Sequence, residues 1–373
     1  MKHIPQKIAL FVLVGLMTLT VNAATRVYGW KVINGENYYL APGSNLYGAN
    51  LSGADLRDAD LQGVYLGYAN LEGTNLSGAN LRGANLEYVQ AAGVDLRKAD
   101  LYDAYLFEAH FNYANLRKAN MPYVDLRNAT LRFADLTDVN LQVADVYFWN
   151  QPVDFYRANL TNVHASNSNF NGANMEAANL TGADFYNTTL SGVRFYNANL
   201  TNADLVIANL TGTNLESANL TNANLEEATL NVTFATNANF TGANLNGVDC
   251  RDSDLDGAKM NHADLSEADF YNTDFFNTDL RAANLSFSNF EYADFYSANL
   301  TGADLRYANL ARTSLYTSNL LQAKLTGANF YNADINSMRV SYKNRADFMS
   351  KSGALYILDA YNTPTYLSSG KVR

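Results

Sequence analysis

The feature that most constrains this chain is a bulky apolar residue returning at almost every fifth position. Leu46, Leu51, Leu56, Leu61, Leu66, Leu71, Leu76, Leu81 and Leu86 open the series, which keeps one register to Val146. It resumes at Phe155 and holds to Ile335, and the two runs together contain about 58 units. A period of five fits neither the 3.6 of an α-helix nor the 2 of a plain strand. Sustained this long, it marks a stacked repeat rather than the two or three globular domains that 373 residues would otherwise suggest.

The common unit is Ala, then Asn or Asp, then Leu, a polar residue, and Gly, Asn or Ala. Ala79-Asn80-Leu81-Arg82-Gly83 and Ala298-Asn299-Leu300-Thr301-Gly302 are examples. Ala and Leu are two apart, so both point inward from a short extended stretch, while the residues flanking Leu point out. The fifth position makes a corner, which Gly, Asn and Asp suit through tolerance of unusual dihedrals and side-chain-to-backbone bonds. The number of units per coil follows from like residues stacking over like. Phe155, Phe195, Phe275 and Phe295 differ by multiples of twenty, as do Phe170, Phe270, Phe290 and Phe330. Leu dominates the other two phases, with Phe185 and Phe240 as exceptions. Four units therefore close one coil.

On these motifs the chain resembles the pentapeptide-repeat family, whose pattern is A(D/N)LxG, over Leu46 to Ile335. The resemblance implies an all-β fold: a right-handed quadrilateral parallel β-helix, a solenoid with four pentapeptides per coil. Right-handedness also agrees with the general preference of parallel crossovers. Roughly fourteen coils at strand spacing give a rod on the order of 70 Å long.

The expected organisation is a signal peptide at 1–23, an N-terminal cap at 24–43, a first repeat run at 44–148, a register break at 149–152, a second run at 153–337 and a C-terminal cap or tail at 338–373. Lys2 and Lys7 give a basic start, Ile8 to Leu19 is apolar but short for a membrane span, and Val21-Asn22-Ala23 offers a small-x-small cleavage site. Export to a periplasmic, luminal or secreted location follows, with no membrane segment after cleavage. Removal of the two lysines takes the formal charge from -10 to -12, with 36 acidic residues against 24 basic. Such a surface repels nucleic acid and keeps a long rod in solution. The single cysteine, Cys250, permits no internal disulfide and is expected to be buried and inert.

Open solenoid ends need covers. Tyr28 to Pro42 reads as the N-terminal cap. Asn344 to Leu358 reads as a short helix with a closing strand, open to two uses: a plain cap, or a homodimer element as in some family members. Ala91, Ala165, Ala235 and Cys250 occupy positions where Leu or Phe is usual, each at a local packing cost of about 1–3 kcal/mol. The nine residues from Val146 to Phe155 are one short of two units, so Trp149-Asn150-Gln151-Pro152 should distort one side of a coil. Trp149 is also a candidate aromatic landmark for a partner.

An interior filled by Ala, Leu and Phe leaves no room for a substrate or cofactor. The outward His110, His164 and His262 do not converge, and no nucleophile triad, phosphate loop or nucleotide fingerprint occurs. No catalytic residue, metal site or cofactor is therefore assigned, and the chain does not read as an enzyme. Two outer columns stand out instead. Thr161, Thr181, Thr201, Thr221 and Thr241, with Asn159, Asn179, Asn199, Asn219 and Asn239 two residues before them, form paired ranks. These suit ladder stabilisation or contact with ordered water or ice. Tyr156, Tyr196, Phe276, Tyr296 and Tyr316, interrupted by Glu176, Glu216 and Asp256, form an aromatic column that suits strands in general or a glycan or protein edge. The expected role is that of an exported non-catalytic structural or binding protein whose partner is a protein or glycan. The alternatives are an ice- or glycan-binding solenoid and a topoisomerase-binding DNA mimic, as the quinolone-resistance members of the family suggest. Arg97, Lys98, Arg117 and Lys118 dilute the acidic ranks that such mimicry needs.

Overall fold

The computed structural model describes residues 28–145, 152–341 and the backbone of 365–367. Each five-residue unit contributes one bridge residue, and each bridge pairs in parallel with the residue twenty positions on: Asn45 with Tyr65, Asn80 with Asp100, Asn199 with Asn219, Asp274 with Asp294. The coil is thus four units, and the fold is a right-handed four-sided β-helix. Its faces are named here by their inward centres: A (Leu46, Leu66, Phe170, Phe270), B (Leu51, Phe155, Phe295), C (Leu56, Leu160, Leu200) and D (Leu61, Phe185, Leu225).

The corners explain the fifth position. The N–H of the next unit's first residue returns to the carbonyl of the Leu three before it, as Ala84 to Leu81 at 3.0 Å. The fifth residue takes φ near +60°, as in a type II turn. Gly83 has φ 61° and Asn202 has φ 57°. Residues poorly suited to this region also adopt it, including Val143, Ile207 and Val232.

Ala and the centre residue point inward along every coil and are buried. Like stacks on like as the twenty-residue phases imply: Phe270 on Phe290 (5.2 Å, 2° between planes) and Phe275 on Phe295 (4.7 Å, 8°). Ala165 lies in the same coil as Phe155 and Phe170, so the small centre faces large neighbours. Where Ser or Thr replaces the inward Ala, its hydroxyl donates to a centre carbonyl, in the coil below for Thr188 to Ala165 (2.9 Å), Thr273 to Cys250 (2.7 Å) and Thr278 to Leu255 (2.9 Å), and in its own coil for Thr313 to Leu310 (2.8 Å). These buried polar groups are therefore satisfied.

The register break has a different geometry from the one its spacing suggests. Across it, Thr130 pairs with Asp154, Asp135 with Asn159, Asn140 with His164 and Asp145 with Asn169. All four faces thus continue with a single offset of 24 residues. The nine residues are one unit plus four added residues between faces A and B, not two units less one residue, and the parallel bridging passes straight through. Trp149 lies outside the described residues.

At the N-terminal end, β1 (Gly29–Ile33) and β2 (Glu36–Leu40) form an antiparallel hairpin. Asn34 and Gly35, both at positive φ, make its two-residue turn. Leu40 is buried, and Ile33 and Tyr38 pack on the core. The Tyr28 hydroxyl donates to Asp60 at 2.6 Å, and the Asn34 amide donates to the Asn50 and Ser52 carbonyls at 3.2 Å each. At the other end β3 (Asn319–Leu320) pairs in parallel with β4 (Met338–Val340), and β5 (Thr365–Leu367) adds antiparallel to β4. On face C the edge of the last coil is thereby paired by the chain itself. Asn344 to Leu358 lies outside the described residues.

Candidate binding faces

Every side chain free to do chemistry stands on the outside, in columns set by the strand register. On face C the Asn and Thr ranks are hydrogen-bonded to one another. Thr161 Oγ1 donates to Asn159 Oδ1 at 2.6 Å, and Asn179 Nδ2, one coil on, donates to Thr161 Oγ1 at 2.9 Å. The same pair of bonds repeats at Thr181–Asn199, Thr201–Asn219 and Thr221–Asn239. Thr241 Oγ1 lies 2.7 Å from Asn239 Oδ1 and 3.0 Å from Asn261 Oδ1. The ladder also reaches back across the break, because Asn159 Nδ2 donates to Thr137 Oγ1 at 2.9 Å. Each threonine hydroxyl from Thr161 to Thr221 thus has its proton donated and one lone pair filled.

The face B column Tyr156, Tyr196, Phe276, Tyr296, Tyr316 divides into two parts. Phe276, Tyr296 and Tyr316 sit on successive coils and stack at 5.3 Å with 22° between planes. Tyr156 and Tyr196 are two coils apart, with Glu176 between them, paired to Arg194 at 3.0 Å. The Arg132 guanidinium lies 4.8 Å from the Tyr156 ring centre.

A larger concentration of aromatic surface lies on face A of the first four coils, and the single-column reading did not find it. Tyr65 and Tyr105 precede their centres, Tyr47 and Phe107 follow theirs, and Tyr68 and Tyr88 make the corners. Tyr47, Tyr65, Tyr68 and Tyr105 are exposed, and the Tyr68 and Tyr88 rings stack at 4.6 Å. Folding the first run at twenty and reading neighbouring columns together would have shown the group.

Part of the charge on the outside is paired. Asp and Arg two residues apart flank one Leu on the same face, so their side chains meet. Arg57 on Asp55, Arg97 on Asp95, Arg127 on Asp125, Arg251 on Asp249, Arg281 on Asp279 and Arg306 on Asp304 all close at 2.6 to 2.8 Å. Burial pushes Asp304 up, but hydrogen bonds from Arg306 and Lys324 outweigh it and hold the carboxyl at about 2. On face B, Asp254, Asp274 and Asp294 stand one above another, and Asp274 is pushed up by burial and by its two like-charged neighbours.

Cys250 is buried, and burial pushes its thiol up to about 12, a state without nucleophilic thiolate. Among the described residues no three of His, Cys, Asp or Glu gather closely enough to hold a metal ion. His110 meets Thr130 Oγ1 at 3.1 Å. His262 borders an open depression of about 360 Å³ at the C–D corner, with Glu226, Asn244, Asn246 and Asp264.

The comparison with known families decides what this architecture is. Eight copies of the pattern described as "Pentapeptide repeats" match between residues 43 and 337, leaving only short gaps. The chain belongs to the pentapeptide-repeat family. Among solved structures it is similar to HetL, a pentapeptide-repeat protein involved in heterocyst differentiation regulation from the cyanobacterium Nostoc sp. strain PCC 7120. That match has 31% identity over 59% of this chain and 88% of HetL, with a TM-score of 0.36. It is also similar to the pentapeptide-repeat protein Rfr23 of the cyanobacterium Cyanothece 51142 (28% identity, 28% of this chain and 88% of that one, TM-score 0.24). A third is QnrB1, a plasmid-mediated fluoroquinolone resistance protein (16% identity, 66% of this chain and 95% of that one, TM-score 0.28). No curated protein matches. Pentapeptide-repeat proteins are in general structural or binding proteins.

Proposed function

We propose that this pentapeptide-repeat protein is an exported, non-catalytic binding or structural protein that engages its partner through the outer faces of the rod. The observation that carries the reading is the filled interior. Centres and alanines bury one another along the coils from Leu46 to Leu325, so recognition is left to the columns outside. The apolar Ile8 to Leu19 and the Val21-Asn22-Ala23 site support export. On face C the mutual bonding of Asn and Thr supports a stabilising ladder over ice contact, because the hydroxyls are committed to neighbouring side chains. Arg97, Lys98, Arg117 and Lys118, which interrupt the acidic columns, support protein or glycan recognition over DNA mimicry.

Fractionation of cells expressing the full chain, with sequencing of the mature N-terminus, tests the reading. The expected result is protein outside the cytosol beginning near Ala24. Cytosolic protein retaining Met1 would refute export, and a hydrolase or lyase activity in the purified chain would refute the non-catalytic role. Inhibition of topoisomerase supercoiling by the purified chain would favour the mimic instead.

A further inference from the structure

The face A aromatic group has a periodicity of its own. Tyr65 and Tyr105 stand in one column with Asn85 between them, since Tyr65 bridges Asn85 and Asn85 bridges Tyr105. They are therefore two strand spacings apart along the rod, about 9.6 Å. Their rings stack on no other described ring. The corner column on the other side of the same face carries Tyr68 and Tyr88. These stack face to face at 4.6 Å with 12° between planes, so their ring faces cover one another. Between the two columns lies Glu87, half-buried, with one carboxylate oxygen taking the Asn85 amide hydrogen at 3.1 Å. Tyr47 closes the N-terminal end, its ring lying over Gly67, where an added Cβ would meet it at 3.3 Å.

We infer that this trough binds a proline-rich peptide segment in the polyproline II conformation, carrying a basic residue, laid along the rod axis. A polyproline II helix repeats every three residues, about 9.3 Å. That matches the Tyr65–Tyr105 interval closely enough for successive turns to meet equivalent rings. Its carbonyls have no internal partners, and tyrosine hydroxyls along the corner column supply donors. Proline rings pack on the free faces of Tyr65 and Tyr105, as aromatic-lined grooves generally receive such segments. Glu87, with Glu108 at the next corner of the tyrosine column, gives the trough a negative floor and wall that select a Lys or Arg on the ligand. A glycan would need open ring faces in the corner column as well, and there the rings cover one another.

The inference rests on the reading that recognition lies on the outer surface, and is independent of export. The probe is a fluorescent nonapeptide of three Arg-Pro-Pro repeats, titrated into the purified full chain and followed by anisotropy. Saturable binding is expected. It should weaken at least about tenfold when Tyr65→Ser and Tyr105→Ser are combined, and several-fold with Glu87→Gln, while the melting temperature by circular dichroism stays put. If the double variant melts early, Tyr65→Leu with Tyr105→Leu, which keeps apolar bulk but removes the flat ring faces, serves in its place, with a several-fold loss expected. Equal binding of an Arg-Gly-Gly nonapeptide would reduce the effect to charge and overturn the inference. So would binding indifferent to the two tyrosines, or displacement of the peptide by a neutral β-1,4-linked oligosaccharide that needs the same rings. Absence of saturable binding of the nonapeptide would overturn the trough while leaving the outer-surface reading standing.

Discussion

Asn179 donates its side-chain amide hydrogen to the hydroxyl of Thr161 at 2.9 Å, and that hydroxyl in turn donates to Asn159 in its own coil at 2.6 Å. Repeated coil after coil, this relationship turns one face of the rod into a single hydrogen-bonded strip. Its members are half-buried or, like Asn179, exposed, so each bond replaces water only in part and contributes modestly on its own.

Thr201→Val keeps the shape of the side chain but removes the hydroxyl shared between Asn199 and Asn219. A loss of about 1–2 kcal/mol is expected, measured by urea denaturation, with Thr201→Ser losing less. No change in the valine variant would show that the strip adds nothing to stability.

Val232 occupies a corner at φ 58° with its side chain half in solvent. A β-branched residue is strained there, whereas Asn adopts the region readily. Val232→Asn should stabilise the fold by about 0.5–1 kcal/mol, read from the denaturation midpoint, and the same change at the neighbouring corner Ile207 should act alike.

Acid should weaken the fold through the paired carboxylates. Asp304 has its folded pKa depressed to about 2 by Arg306 and Lys324, against 3.8 when unperturbed. Its contribution is present above pH 4 and is lost as pH falls from there through 2. Discounted for solvent screening it is about 1 kcal/mol. Asp304→Asn should lower stability at pH 7 and make little difference at pH 2. Asp274 carries the opposite sign: its raised pKa marks a carboxylate that the folded state holds at a cost above the unfolded pKa. Asp274→Asn should therefore stabilise at pH 7, with the gain gone at pH 3. A pH series of denaturation midpoints separates the two.

Cys250 should resist iodoacetamide at pH 8 in the native protein and react fully in denaturant, as its burial and raised pKa require. Mass spectrometry after labelling reads this directly. Alkylation of the native chain within minutes would contradict a closed interior.

The coil was legible in the sequence because packing forces it: Phe270 and Phe290 are twenty apart and lie flat on one another. The break between Val146 and Phe155 was not, because a spacing of nine reads equally as a deletion from two units or an insertion after one. The pairings across the break, Asn140 with His164 among them, distinguish the two. Of the outer faces, the Asn/Thr and aromatic columns were visible because each recurs in a single phase. The bonds within the Asn/Thr ranks depend on rotamers, which residue types do not specify. The face A tyrosines escaped notice because Tyr65, Tyr47 and Tyr68 belong to three different phases that share one side only after the chain is wound.

The account centres on one unbroken rod whose outer columns run through both repeat runs. Its most direct test places Cys at Asn140 and His164 in a Cys250→Ser chain and asks whether mild oxidation joins them. Paired strands bring their Cα atoms to about 4.8 Å, within disulfide reach, so near-complete crosslinking in the native state is the expected result. Crosslinking of the position-140 cysteine instead to a cysteine at Asn159 or Asn169, with none to position 164, would contradict the register and with it the continuous faces.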